Sequence, residues 1–448
     1  MNNIDLINEI NPKHKFRDPI YGYIWLTDAE MEIIKQPIFQ RLRRIHQLAL
    51  TKYVYPTAEH SRFTHSLGVL QSATNIFLDL YKFNKDAIDS IFDNNRDNII
   101  KIFKILRYIA LLHDVGHLPF SHAAEESFLE NGKSHEDISK YIISETKTIR
   151  KVIENDCDNI QYVLPLLKGY PKSEYSYIKR FLSDEFDADR ADYLLRDSYL
   201  CGVKYGLYDY SRYIGSFKLI ENGNGEFDFG ISSKNIHAIE SFILARHYYN
   251  LQIPYHRTRV GYDIILRKFI KEKRDKFYSI SGIESISDGK LEIDLENFIY
   301  FDDYSIFEEI KNSDKEEKNP LAKILMRGDR LHPVFDREAT KTNNNEIESF
   351  FKKYIELLES EGFNKGTHFF EYQKTLPIHK ITGKPDEESD KKYPVIDGDM
   401  NNIGDLTEYS PIFKNLSDNP IYLYRIYVFT PYLENAKKIY YNLLKKHK

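Results

Sequence analysis

Residues 111–122 read LLHDVGHLPFSH, and this short run decides how the rest of the chain is understood. It packs His113, Asp114, His117 and His122 into one segment, a concentration of chemistry that ordinary surface rarely carries. Adjacent His113 and Asp114 offer an imidazole nitrogen and a carboxylate oxygen, a donor pair suited to a divalent transition metal. Two donors hold a metal poorly, so the completing ligands have to come from elsewhere. Two segments offer them, SRFTHSLGV with His65 and DEFDADRADYLLRD with Asp189.

Working outward, the run closes a clear amphipathic helix. In NIIKIFKILRYIALLHD (98–114), Ile99, Ile102, Phe103, Leu106, Ile109, Ala110 and His113 recur at three- and four-residue steps. A second helix is expected after His65, with Leu70, Ala73, Phe77 and Leu80 on one face, and a third from about Asp184 to Leu200. Ser134 followed by Asp137 resembles a capping arrangement that starts a helix at His135. SHAAEE offers another start, with Ser121 as its cap. Histidine and aspartate thus keep landing near helix ends.

After about residue 270 the texture changes. EIDLENFIYF (292–301) and YLYRIYVFT (422–430) are β-branched and aromatic enough to predict strands, and YLENAKKIYYNLLKKHK (432–448) predicts a C-terminal helix. The polar stretches 312–319, 339–346 and 384–392 are expected as surface loops. The glycines of ENGNGEFDFG (221–230) sit in a hairpin-like context without the strand-to-helix setting of a phosphate loop.

Composition bounds the function. The 448 residues carry 63 basic and 68 acidic side chains, a net charge of −5, which argues against a bare basic nucleic-acid binder. With 42% hydrophobic and 14% aromatic residues there is ample material for a large core. Cys157 and Cys201 are too few for a disulfide framework or a thiolate cage, so any metal must be held by His and carboxylate. No stretch approaches the ~18 consecutive apolar residues of a membrane span, and a cytoplasmic protein without membrane partners is expected.

The order of several blocks resembles the HD-domain metal-dependent phosphohydrolases, and within them the deoxynucleoside triphosphate triphosphohydrolases. The blocks are FRDPIYGYIWL (16–26), QPIFQRLRRIHQL (36–48), HSRFTHSLGV (60–69), HDVGHLPFSH (113–122), HED (135–137) and DADRADYLLRD (187–197). The resemblance implies a mainly α fold. An N-terminal extension (1–15) would precede an HD helical core (16–270) and a smaller C-terminal α+β region (271–448).

Carried over by position, the resemblance gives His65, His113, Asp114 and Asp189 as ligands of a divalent ion, with Mn, Mg, Fe, Zn and Ni all compatible. His117, His122 and His135 match catalytic histidines, with His135 or His117 favoured as proton donor. Arg62 and Arg190 match phosphate contacts. Gln47, Tyr193 and Asp197 match the surroundings of the deoxyribose, and Tyr255 is a further substrate contact beside His256 and Arg257. The implied reaction is hydrolysis of a deoxynucleoside triphosphate to deoxynucleoside and inorganic triphosphate.

By the same resemblance a homodimer or homotetramer is expected, with an activating nucleotide between subunits near Gln40 and Arg43. Lys35 stands where guanine-sensing members carry an aspartate, and an ammonium cannot accept hydrogen bonds from guanine. Three alternatives keep the metal site or the pocket but change the role: a nucleoside monophosphate phosphatase, a phosphodiesterase acting on single-stranded nucleic acid or cyclic nucleotides, or a nucleotide-sensing regulator.

Overall fold

The computed structural model describes residues 4–129, 133–158, 160–167, 181, 185–221, 227–285, 291–376 and 393–446. The stretch 384–392, the glycines at 222–226 and Asp184 lie outside them. The chain is mainly helical, with smaller sheets.

It opens with a helix, Ile4–Glu9, and an antiparallel hairpin, His14–Asp18 against Gly22–Leu26, with His14 opposite Leu26. Period-2 alternation buries Ile24 and Leu26 and exposes Lys15, Arg17, Tyr23 and Trp25. Asp18 makes the turn by accepting the amides of Ile20 and Tyr21 at 2.9 and 3.0 Å. Its other oxygen accepts from Arg196 at 2.7 Å, which ties the hairpin to a distant helix.

The three expected helices form with shifted ends. Arg62–Phe83 starts before His65, so that histidine sits in the first turn. Arg96–Leu112 is capped by the Asn95 side chain and buries the predicted apolar stripe from Ile99 to Ala110, with His113 half-buried just past its end. Ala188–Cys201 starts at the Asp187 cap and ends on Gly202 at φ +70°, in the left-handed region that glycine tolerates. The first and third cross very closely at Gly68, where an added Cβ would lie 1.9 Å from Asp192 Oδ1. The capping box of Ser134 and Asp137 is present and starts the helix His135–Glu145. His122–Phe128 is also helical, although the Ser121 side chain does not cap it.

The stretch 292–301 departs from its predicted strand. Only Glu292–Ile293 is extended, because the Asp294 carboxylate accepts the amides of Glu296 and Asn297 and caps a helix over Leu295–Phe298. Residues 312–315 extend the helix Asp303–Lys315 rather than a loop, and the loop expected over 339–346 shrinks to a turn between the strand ending at Ala339 and the helix starting at Asn344.

Two compact units emerge. The first comprises Met1–Tyr249, Lys273–Phe307 and Lys392–Ser410, the second Asn250–Glu272, Glu308–Lys391 and Pro411–Lys448. A single cut after residue 270 does not describe this division. Phe298 and Phe301 are wholly buried in the first unit, with Phe301 edge-on to Phe128. The chain also returns to the first unit late: Pro394–Ile396 pairs in parallel with Phe227–Ser232 in a four-stranded sheet. Leu6 and Ile10, from the expected N-terminal extension, are buried in the same unit. The second unit is α+β: a three-stranded antiparallel sheet with Ile421–Val428 in the centre, and the helices Asn344–Ser360 and Leu433–Lys446, enclose Phe335, Phe351, Tyr354, Phe369 and Ile426.

Candidate active site

The HD run forms the turn that follows Leu112. His113 still has helical φ and ψ, and its Nδ1 sits 2.8 Å from the Ala110 carbonyl, so that nitrogen carries the proton. Nε2 is then a bare acceptor, buried and without a hydrogen-bond partner, 3.3 Å from Asp114 and 3.9 Å from Asp189. His65 repeats the arrangement. Its Nδ1 is 2.8 Å from Asp192, and its Nε2 lies 2.9 Å from Asp189 and 3.7 Å from Asp114.

His65, His113 and Asp189 therefore bring donor atoms within 4.8 Å of one another, and Asp114, the fourth sequence-predicted ligand, borders them at 3.3 Å from His113 Nε2 and 3.7 Å from His65 Nε2. Burial alone would lower the His65 pKa, but hydrogen bonds and charge from Asp189 and Asp192 override it and push the imidazole up to about 10. Burial likewise opposes the Asp114 charge, yet Arg62, His113 and His117 hold its carboxyl well below the usual range. An orphaned imidazole nitrogen facing two carboxylates, beside a second histidine oriented by an outer carboxylate, fits a divalent cation. Mutually neutral imidazoles and ionised carboxylates are the protonation states such an ion selects.

A second cluster adjoins the first through Asp114, whose Oδ1 lies 3.2 Å from His117 Nε2. The His117 ring stacks on His135 at 3.7 Å with 12° between planes, and His122 meets both rings edge-on. Glu125 bridges His122 and His135, with its two oxygens 2.8 and 3.0 Å from their Nδ1 atoms. Burial would raise Glu125, but those hydrogen bonds dominate and hold it well below the carboxylate range. His117 is pushed well below its ordinary value, first by burial and then by the nearby Arg62 and His135 charges. The stack is possible because Gly116 has no side chain: a Cβ there would lie 2.3 Å from both the His135 carbonyl and the Ser139 amide nitrogen.

A third group lies along the same carboxylate helix. Asp197 is buried and takes His60 Nε2 at 2.7 Å and the Tyr249 hydroxyl on its two oxygens. Tyr193 packs on Tyr249 with centroids 5.3 Å apart. Gln47 donates its amide to the His60 carbonyl at 2.9 Å, while its side-chain Oε1 is buried without a partner.

The cationic residues are engaged rather than free. Arg62 is buried and binds Asp114 and, at 2.7 Å, the Ser121 hydroxyl. Arg190 binds the cap residue Asp187. Tyr255 belongs to the second unit, where its carbonyl accepts from Arg425 at 2.6 Å. Asp192, Glu125, His60 and Tyr249 were missed by sequence reasoning. The first two carried a signal, each standing three residues beyond a predicted site residue on a helix, Asp189 and His122.

Comparison with known proteins agrees with this geometry. The HD domain family matches residues 62–197, the span that holds both histidine clusters and the carboxylate helix. The protein MJ1154 of Methanocaldococcus jannaschii is 31% identical over 96% of this chain and 81% of its own length. The chain belongs to the HD-domain phosphohydrolase family. Within that family, the deoxynucleoside triphosphate triphosphohydrolase SAMHD1 homolog of Dictyostelium discoideum is 28% identical, covering 73% of this chain and 60% of that protein. The crystal structure of a hypothetical protein from Aquifex aeolicus superposes with a TM-score of 0.75 at 26% identity, over 95% of this chain and 99% of that one. Among the described residues, no helix is long and apolar enough to cross a membrane.

Proposed function

We propose that the chain hydrolyses deoxynucleoside triphosphates at the α-phosphorus, releasing a deoxynucleoside and inorganic triphosphate. The observation that carries this reading is that Asp114 joins a cation donor set to a histidine cluster, while Asp189 and Asp197 of one helix join that donor set to a polar corner in which Gln47 holds an unpaired acceptor. Its substrate class is also that of the Dictyostelium relative.

A divalent ion held by His65, His113, Asp114 and Asp189 would supply charge neutralisation and an activated water. The protein's own groups then divide the work. Arg62, one hydrogen bond from Asp114, brings a guanidinium beside any phosphate seated there. His122 is the proton donor to the departing 5′-oxygen, because its ring is the exposed member of the cluster at 67% side-chain accessibility. Glu125 holds that ring through Nδ1, and His135 shares the carboxylate from behind. His117, buried and neutral, suits ordering rather than donating. This moves the acid role from His135 or His117 to His122.

Gln47 Oε1 is an acceptor awaiting a donor, and the 3′-hydroxyl of a deoxyribose supplies one. Tyr193, braced by Tyr249, is the group that a 2′-hydroxyl would crowd. A homo-oligomer with an activating nucleotide between subunits extends the proposal. Arg43 there is held by Gln40 at 2.8 Å and lies over the Phe63 ring.

The test is product analysis with the four deoxynucleoside triphosphates, singly and mixed, with Mg or Mn and a ribonucleotide control. Inorganic triphosphate is the expected product. Orthophosphate, pyrophosphate or nucleotide products would move the assignment to the phosphatase or phosphodiesterase reading.

A further inference from the structure

The bend just before His122 is held in an unusual way. Phe120 and Ser121 are consecutive non-glycine residues with positive φ, +58° and +54°. Single residues visit this region at a cost, and two in succession persist only where surrounding contacts fix them. Those contacts come from a segment remote in sequence. Asp303, wholly buried, accepts the Phe120 amide on Oδ1 at 2.6 Å. Its Oδ2 takes both the backbone amide and Nδ1 of His46, at 2.9 and 2.6 Å.

The connections continue toward the chemistry. The His46 carbonyl accepts the Ser121 hydroxyl at 3.0 Å, Ser121 accepts Arg62 Nε, and Arg62 binds Asp114. On the other side, Arg41 links the Phe301 carbonyl at 2.7 Å to the His117 carbonyl at 2.8 Å. The segment around Phe301–Asp303 thus grips the His117–His122 turn at both ends. Neither Asp302 nor Asp303 belongs to the candidate metal-holding clusters among the described residues.

We infer that Asp303 is a positioning residue: its carboxylate fixes the Phe120–Ser121 bend, and so sets where His122, Arg62 and Asp114 stand relative to one another. The catalytic part of this inference rests on the hydrolase proposal above. Losing the carboxylate charge frees the bend to relax toward ordinary φ, which displaces His122 from Glu125 without removing any group that binds nucleotide.

The experiment compares wild type, Asp303→Asn and His46→Ala, each as the full chain, by steady-state kinetics and by hydrogen exchange at the Phe120 amide. Asn preserves shape but sets its NH2 against the donors of His46 or Phe120. In Asp303→Asn, kcat is expected to fall about 10–100-fold while KM changes less than about twofold, and Phe120 exchange to speed up at least ~10-fold. His46→Ala should move both readouts in the same direction by less, and it carries the test should Asp303→Asn fail to fold. Folded variants with wild-type kcat and wild-type Phe120 exchange overturn the inference. Equal losses in kcat and in bound nucleotide would assign Asp303 a general structural role and overturn it too. If wild type hydrolyses no nucleotide, the hydrolase proposal has failed, and Phe120 exchange alone decides the role of Asp303.

Discussion

Replacing Gly116 by alanine tests how tightly the two histidine clusters depend on one close backbone contact. The new Cβ would stand 2.3 Å from the His135 carbonyl oxygen and the Ser139 amide nitrogen, and 2.8 Å from the Ile138 carbonyl carbon. All three are backbone atoms of one helix, so no flexible side chain can swing away. Reaching ordinary contact at 3.4 Å requires the His135 helix and the HD turn to part by about 1 Å. The Gly116 amide would also draw away from Ser139 Oγ, now at 2.9 Å, and the 3.7 Å stack of His117 on His135 would open.

Overpacking of this kind costs about 1–3 kcal/mol. A misplacement near 1 Å costs roughly 100-fold in turnover. Gly215→Ala is the control, since a Cβ there meets only atoms at 3.6 Å or beyond. Urea unfolding and initial rates on a deoxynucleoside triphosphate measure both effects. A Gly116→Ala protein with wild-type stability and a turnover within about twofold of wild type would refute the reasoning.

Other substitutions separate the roles. Asp192→Asn weakens the carboxylate behind His65 Nδ1, and a divalent-ion titration by calorimetry should show roughly 10–100-fold weaker binding. Glu125 has a native pKa below its ordinary 4.5, so its contribution to stability is present above that value and fades as pH falls toward the native pKa. The stability gap between wild type and Glu125→Gln, followed by urea unfolding, should therefore be widest near neutrality and close on acidification below about 4.5. Tyr249→Phe deletes one of two donors to Asp197 and should raise KM for the deoxynucleotide about 3–10-fold at nearly constant kcat, by steady-state kinetics.

Much of the site was legible because its chemistry sits on strong local signals. The stripe ending at His113 and the capping box at Ser134 follow from short-range periodicity and hydrogen bonding, and both stand as expected. The four metal-ligand candidates rest on family resemblance, and the close crossing at Gly68 brings the His65 and Asp189 helices together. Less visible were contacts between remote segments. Asp303 lies two residues beyond the predicted strand 292–301, and nothing local reveals that its partners are His46 and Phe120. Likewise the return of Pro394–Ile396 to the first unit depends on parallel pairing with Phe227–Ser232, a long-range choice without a local sequence signature. Arg62 looked like a free phosphate ligand because spacing cannot show that Ser121 and Asp114 already hold its fork.

The central claim is tested most directly by hydrolysis in oxygen-18 water, following both products from wild type and from Asp114→Ala. Attack at the α-phosphorus predicts one labelled oxygen in inorganic triphosphate and none in the deoxynucleoside, with no turnover in the variant. Label in orthophosphate or pyrophosphate, or equal turnover by Asp114→Ala, would contradict it.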